Sequence, residues 1–228
     1  MMRKPVVDYR GFRLSKLNTP EYSHLLLLLG WIGYFALYFI TENCIPVEQC
    51  HVVHSRVDDL IPFCEAFIIP YVFWYLLIVI SLLYFALYNV RGFRQLQTYI
   101  IVTQVVAMAV YILFPNRQEL RPEVFPRDNF LTDCVQFLYA VDTSTNVCPS
   151  LHVAYSLGIA SVWLKETSAW RWWKAFVVVA VILICLSTMF IKQHSFWDFV
   201  AALPVYVLAE YIAFGRSYWR ERHKQKSR

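Results

Sequence analysis

Charge is scarce in this chain: only 16% of its 228 residues are Asp, Glu, Lys or Arg. Soluble domains carry about 25%, so there is too little charge to cover a water-facing surface. The six glycines exclude a collagen-like repeat, and the 58% apolar fraction excludes intrinsic disorder. Six cysteines in a chain of this length are too sparse for a small disulfide-knit secreted fold. None of them forms a Cys-x-x-Cys pair, so zinc-type spacing is missing. No internal repeat and no low-complexity linker divides the sequence, which reads as a single domain over residues 1–228. What the chain has instead is aromatic and aliphatic bulk. Eight Trp, 15 Tyr and 17 Phe suit two interfacial belts, and the mean hydropathy is +0.44. The expected class is an integral membrane protein.

A membrane-spanning helix needs about 20 predominantly apolar residues. The runs His24–Thr41, Ala66–Asn89 and Leu96–Phe114 qualify. Pro149–Leu164, Ala175–Ile191 and Phe199–Phe214 are shorter but still strongly apolar. The runs are continuous rather than alternating, which argues against a barrel. Backbone groups in lipid must bond within their own segment, which argues for helices. The expectation is therefore an all-α, polytopic fold, a bundle of six transmembrane helices. A cytoplasmic N-terminal tail covers residues 1–23 and a basic cytoplasmic C-terminal tail covers 215–228.

The orientation rests on cation placement. Of the 21 Lys and Arg, sixteen fall in the two tails and in the second and fourth connections. Only Arg56, Arg117, Arg121, Arg127 and Lys192 fall on the other side. The positive-inside rule then puts both termini in the cytoplasm. The long loops Glu42–Glu65 and Pro115–Cys148 face outward. The tail charge suits topology and contact with anionic lipid headgroups, and nothing in the sequence points to nucleic acid. The first run is longer than a signal-peptide core, and no small-x-small cleavage site follows it. Five cysteines lie in or near the outward loops, and an oxidising exterior allows Cys44 to pair with Cys50, or Cys134 with Cys148. Spacing leaves pairing and free thiols equally open.

Three outward segments share an unusual inventory of reactive side chains. Asn116–Pro122 contributes Arg121, Cys148–His152 contributes Ser150 and His152, and Lys192–Asp198 contributes Lys192, His194 and Asp198. Ser150 stands at an expected helix start, where free amides and the helix dipole favour an anion. His194 and Asp198 are four apart. If the sixth helix begins near Ser195, they share a face, and the carboxylate can fix the imidazole tautomer and free the other nitrogen to attack. Arg121 and Lys192 can clamp a phosphate by charge. Two histidines, a carboxylate, a serine and two cations make an inventory for phosphoryl transfer. His152, His194 and Asp198 are also a two-histidine, one-carboxylate metal set. Arg121 and Lys192 would repel a divalent ion there, so the reading assigns no metal and no cofactor.

These residues resemble the type 2 phosphatidic acid phosphatase superfamily, which includes lipid phosphate phosphatases. Its Pro-Ser-x-His motif matches at Pro149, Ser150 and His152. Its Ser-Arg-x5-His-x3-Asp motif matches at Ser187, His194 and Asp198, and its Lys-x6-Arg-Pro motif only at Arg121 and Pro122. Phe114 and Thr188 stand where that family carries two phosphate-binding cations. Lys192, and more weakly Arg117, are candidate substitutes. The departures resemble the branch containing inositol-phosphoryl and phosphocholine transferases that act on ceramide. The resemblance implies that His194 is the nucleophile, that Asp198 orients it, and that His152 protonates the leaving oxygen and later activates the acceptor. It implies that Arg121, Ser150 and Lys192 hold the phosphoryl oxygens. The expected activity is metal-independent hydrolysis of a lipid or polyprenyl phosphate, with the site on the extracytoplasmic face of the plasma membrane. Transfer to an alcohol acceptor, a non-enzymatic lipid transporter and a degenerate pseudo-enzyme remain as alternatives.

Overall fold

Apolar runs with nowhere else to bond their backbones become helices, and in the computed structural model these account for nearly all of the regular structure over the described residues, 4–215. The principal helices are α1 (Leu29–Cys44), α2 (Arg56–Leu60), α3 (Ile68–Tyr88), α4 (Val90–Leu113), α5 (Phe130–Val141), α6 (Leu151–Lys165), α7 (Arg171–Phe190) and α8 (Phe196–Glu210). A two-residue parallel pair, β1 (His51–Val52) and β2 (Asn116–Arg117), ties the first long loop to the second. Among the described residues, five helical stretches are long and apolar enough to cross a membrane: Ser23–Cys44, Glu65–Tyr88, Val90–Leu113, Arg171–Phe190 and Phe196–Gly215. Their outer faces carry Ile32, Phe35, Phe39, Val72, Val79, Val105, Val179 and Val207, all exposed. A water-facing surface does not tolerate that much contiguous apolar area, and lipid does.

The apolar run Pro149–Leu164 folds as α6, which has 15 residues. At 1.5 Å per residue it spans about 22 Å, less than a hydrocarbon core of about 30 Å. It lies inside the bundle, against α3, α4, α7 and α8. Most of it is buried, including Val153, Ala154, Tyr155, Ile159 and Val162. Helices in lipid gain little from hydrophobicity and must pack closely. Gly158 serves that end, because a Cβ there would stand 2.2 Å from the ring of Tyr99 on α4. The Tyr99 hydroxyl donates to the Ala154 carbonyl at 2.7 Å and locks the crossing. By contrast α1 packs mainly on α4, and Thr41 is its only buried residue.

The connections sort into two ends. At one end Asn89 donates to Glu166, Lys165 pairs with Glu210, and Gln97 donates to the Leu27 carbonyl. The N-terminal segment folds over this end as short 3-10 turns. There the Val6 amide donates to Leu87, and the Tyr9 hydroxyl to the Ala86 carbonyl. At the other end the long loops converge: Tyr111 donates to Pro149, Tyr139 to Ile191, and Ser195 to Asp58. The two sets of Lys and Arg separate accordingly. Arg10, Arg91, Lys165 and Arg171 mark the first end, and Arg56, Arg117, Arg121, Arg127 and Lys192 the second. The basic tail from residue 216 onward lies outside the described residues.

Candidate functional site

Two helix starts build the site. Ser150 caps α6, its Oγ accepting from the Val153 amide at 3.4 Å. Ser195 caps α8 through a capping box, in which the Ser195 amide donates to Asp198 Oδ2 at 2.9 Å. The same local rule, Ser followed three residues later by an acid, starts α2 at Ser55 and Asp58. Asp58 then accepts from the Ser195 hydroxyl at 2.6 Å and the Phe196 amide at 2.7 Å. That short loop helix thus fastens the start of α8. The two caps also meet directly, since the Ser150 amide donates to the Asp198 carbonyl at 3.1 Å.

The expected His–Asp pair forms. His194 Nδ1 lies 3.1 Å from Asp198 Oδ2. A carboxylate only accepts, so Nδ1 is the donor of this bond, the tautomer that in a neutral imidazole leaves the lone pair on Nε2. Asp198 is fully buried, and His194 is 7% exposed. The His152 ring stands 5.7 Å from the His194 ring, centroid to centroid, with the planes inclined at 61°. Tyr71 and Trp74 of α3 hold the His152 ring plane, at 4.4 and 4.0 Å. His152 Nε2 is buried with no hydrogen-bond partner among the described residues. Both imidazoles line one cleft of about 440 Å³, which opens among α1, α3, α4 and α6.

The other three expected residues are placed differently. Arg121 lies behind the cleft rather than on its wall. Its guanidinium donates to the carbonyls of Tyr139, Asp142 and Thr143 and to Gln193 Oε1, at 2.7–3.0 Å. It also stacks over the Tyr139 ring at 4.4 Å. Burial pulls the Arg121 pKa below its usual value, with Asp142 opposing. Lys192 turns away too, donating to the carbonyls of Asp58 at 2.7 Å and Ile61. Burial lowers its pKa, against the pull of Asp58 and Asp59. Its φ of 56° is left-handed, a conformation that aims the chain from α7 into the His194 turn. Ser150 is fully buried as a cap. Arg117, the weaker candidate, pairs with Glu119. Leu151 and His152, in the first turn of α6, line the cleft. A helix start with its first-turn amides and dipole is electropositive, and this one stands at the cleft.

One carboxylate gains importance in the structure. Asp142, which follows α5, lines the cleft. Its Oδ2 accepts from Gln193 at 3.0 Å and from Tyr71 at 3.3 Å. Burial raises its pKa, while His194 and Arg121 pull it down. No spacing relates Asp142 to the histidines, so nothing in the sequence groups it with them. The aromatic walls left a clearer trace: Trp31, Tyr34 and Tyr38 recur at helical spacing, as do Tyr71, Trp74 and Tyr75. All six cysteines are free thiols. The Cys148 thiol is pushed up to about 12 by burial and by the neighbouring Asp198. No group of three or more His, Cys, Asp or Glu in a metal-holding arrangement occurs among the described residues. The chain matches no protein-family model, no curated protein and no solved structure.

Proposed function

We propose that this chain is an integral-membrane enzyme that transfers the phosphoryl group of a lipid phosphate through a phosphohistidine on His194. The observation that carries the reading is the buried His194–Asp198 hydrogen bond with the His152 ring 5.7 Å away in the same cleft. His194 Nε2 attacks phosphorus as the bond to the leaving oxygen breaks, and His152 gives that oxygen its proton. The acceptor then loses a proton to His152 and attacks the phosphohistidine, which frees His194. Asp198 holds the ring and stabilises the charge it gains. The α6 amides oppose the charge that spreads onto the phosphoryl oxygens. No cofactor enters this scheme.

On this reading α6 is the sixth crossing, completed by the loop residues before it and shielded from lipid by its neighbours. Both termini lie in the cytoplasm and the site opens at the extracytoplasmic face of the plasma membrane, in keeping with the separation of the Lys and Arg sets. The basic ends contact anionic lipids. Arg121, Ser150 and Lys192 then act by positioning: Arg121 holds Gln193, Ser150 caps α6, and Lys192 anchors the His194 turn. Water as acceptor makes the enzyme a lipid phosphatase. An alcohol acceptor makes it a headgroup transferase, a second reading favoured by cleft walls that, among the described residues, carry no Lys or Arg.

A turnover screen of the purified protein tests the proposal against a panel of lipid phosphates, with and without alcohol acceptors. Phosphate release or headgroup transfer that His194→Ala abolishes supports it. Lipid flipping without any phosphoryl chemistry would identify a transporter instead.

A further inference from the structure

Helix α5 carries more apolar surface than the bundle covers. Leu131, Val135 and Leu138 recur at helical spacing, and so do Phe130, Cys134, Phe137 and Val141. The two stripes lie side by side, and Asp133 and Gln136 take the remaining edge. The first stripe packs with Ile68 and Tyr71 at the start of α3. In the second, Phe130 is 77% exposed, Phe137 70% and Val141 63%. An uncovered apolar stripe of that kind marks a surface that meets something other than water.

Depth in the membrane decides what meets it. The span that contains α3, Glu65–Tyr88, has 24 residues. It is about 36 Å long, slightly more than a hydrocarbon core of about 30 Å. Centred on that core, the span places Ile68 and Tyr71 about 2–6 Å inside the boundary between headgroups and acyl chains. Because α5 rests on those two residues, it lies along that boundary. Ile69 and Val72, beside them on α3, are exposed at the same level. A helix that lies in the plane of the membrane buries its apolar face about 5–10 Å into this boundary and keeps its polar edge among the headgroups. From an uncovered apolar stripe held at that depth, we propose that α5 is an interfacial helix whose partner is the lipid leaflet at the site end of the bundle. Phe130, Phe137 and Val141 sit among the upper acyl carbons, and Asp133 and Gln136 lie toward the headgroups.

The seat of α5 bears on the cleft because the two are joined. The Tyr139 hydroxyl donates to the Ile191 carbonyl at 2.5 Å, three residues before His194. The Arg121 guanidinium lies over the Tyr139 ring and bonds both the Tyr139 carbonyl and Gln193. Val141 ends α5, and Asp142, the next residue, is on the cleft wall. The leaflet therefore braces one side of the loop that carries His194. This goes beyond the proposed function and does not depend on the phosphoryl chemistry.

The test replaces Phe130, Phe137 or Gln136, one at a time, with p-benzoylphenylalanine in the full-length protein reconstituted in phosphatidylcholine vesicles. All three positions are exposed, so the photoreactive ring displaces no packed neighbour. After irradiation, mass spectrometry of the peptide that holds the label counts lipid adducts. The expected result is at least fivefold more lipid adduct at positions 130 and 137 than at 136. Lipid adducts no more frequent at 137 than at 136 overturn the proposal, because the stripe then faces water. Cross-links formed chiefly to a second copy of the chain overturn it as well, and make the stripe a dimer face. No turnover is measured, so the outcome is separate from that of the catalytic reading.

Discussion

Replacing Asp198 with Asn removes a charge and almost no volume. In the structure Asp198 Oδ2 receives both His194 Nδ1–H and the Ser195 amide. Asn keeps one acceptor oxygen, so the α8 cap survives in weakened form. The stability cost is that of one charge-assisted hydrogen bond, about 1–3 kcal/mol. The catalytic cost is larger. Without the carboxylate, the amide can turn its NH2 toward Nδ1, which places the proton on Nε2 and disarms the nucleophile. Activated-histidine chemistry contributes about 10²–10⁴-fold, and a mid-range loss of about 10³ is about 4 kcal/mol of barrier. The assay is single-turnover headgroup or phosphate release in nanodiscs, read beside the thermal midpoint. Ser195→Ala is the matched control: it breaks the cap to Trp197 and the bond to Asp58, costs about 1 kcal/mol, and should leave turnover within tenfold. Turnover of Asp198→Asn within threefold of wild type would refute the assignment of Asp198 as the group that arms His194.

Two further substitutions separate structure from chemistry. Lys192→Ala breaks the ammonium bonds to Asp58 and Ile61 and should cost about 2 kcal/mol, seen as a lowered thermal midpoint with KM changed less than threefold. A tenfold rise in KM at an unchanged midpoint would make Lys192 a phosphate ligand after all. Gly158→Ala drives a methyl into the Tyr99 ring, which its hydroxyl bond to Ala154 keeps from swinging aside. It should destabilise by about 1–3 kcal/mol in detergent melts, and a neutral effect would mean that the α4–α6 crossing is looser than the structure shows.

Helix positions were readable because lipid imposes one demand, continuous apolarity, over long stretches. Their edges were less so. The third run starts at Leu96 when bounded by charge, yet α4 starts at Val90, because Asn89 caps it by accepting from the Gly92 amide and helix formation tolerates Arg91 and Arg94 at the membrane edge. The 12-residue α5 within the second long loop has an apolar face broken by polar residues and too few residues to register as a span. Of the candidate site, His194 and Asp198 were legible because they straddle a Ser-capped helix start, where His194 just before the cap meets Asp198 in the first turn. The approach of His152 depended on two helix starts meeting through Ser150 and Asp198. The roles of Arg121 and Lys192 were not legible, because a cation near a membrane surface reads alike whether it faces a ligand or backbone carbonyls. Only the loop conformation, including the left-handed turn at Lys192, directs it. Asp142 lies 52 residues from His194 in sequence, and only the folded loop sets it beside that ring.

The most direct measurement is a single-turnover reaction of the wild-type protein with a lipid labelled at phosphorus, quenched in alkali to preserve phosphohistidine and mapped by peptide. The account predicts covalent label on His194 alone, absent in His194→Ala. Turnover without covalent label, or label on any other residue, would contradict it.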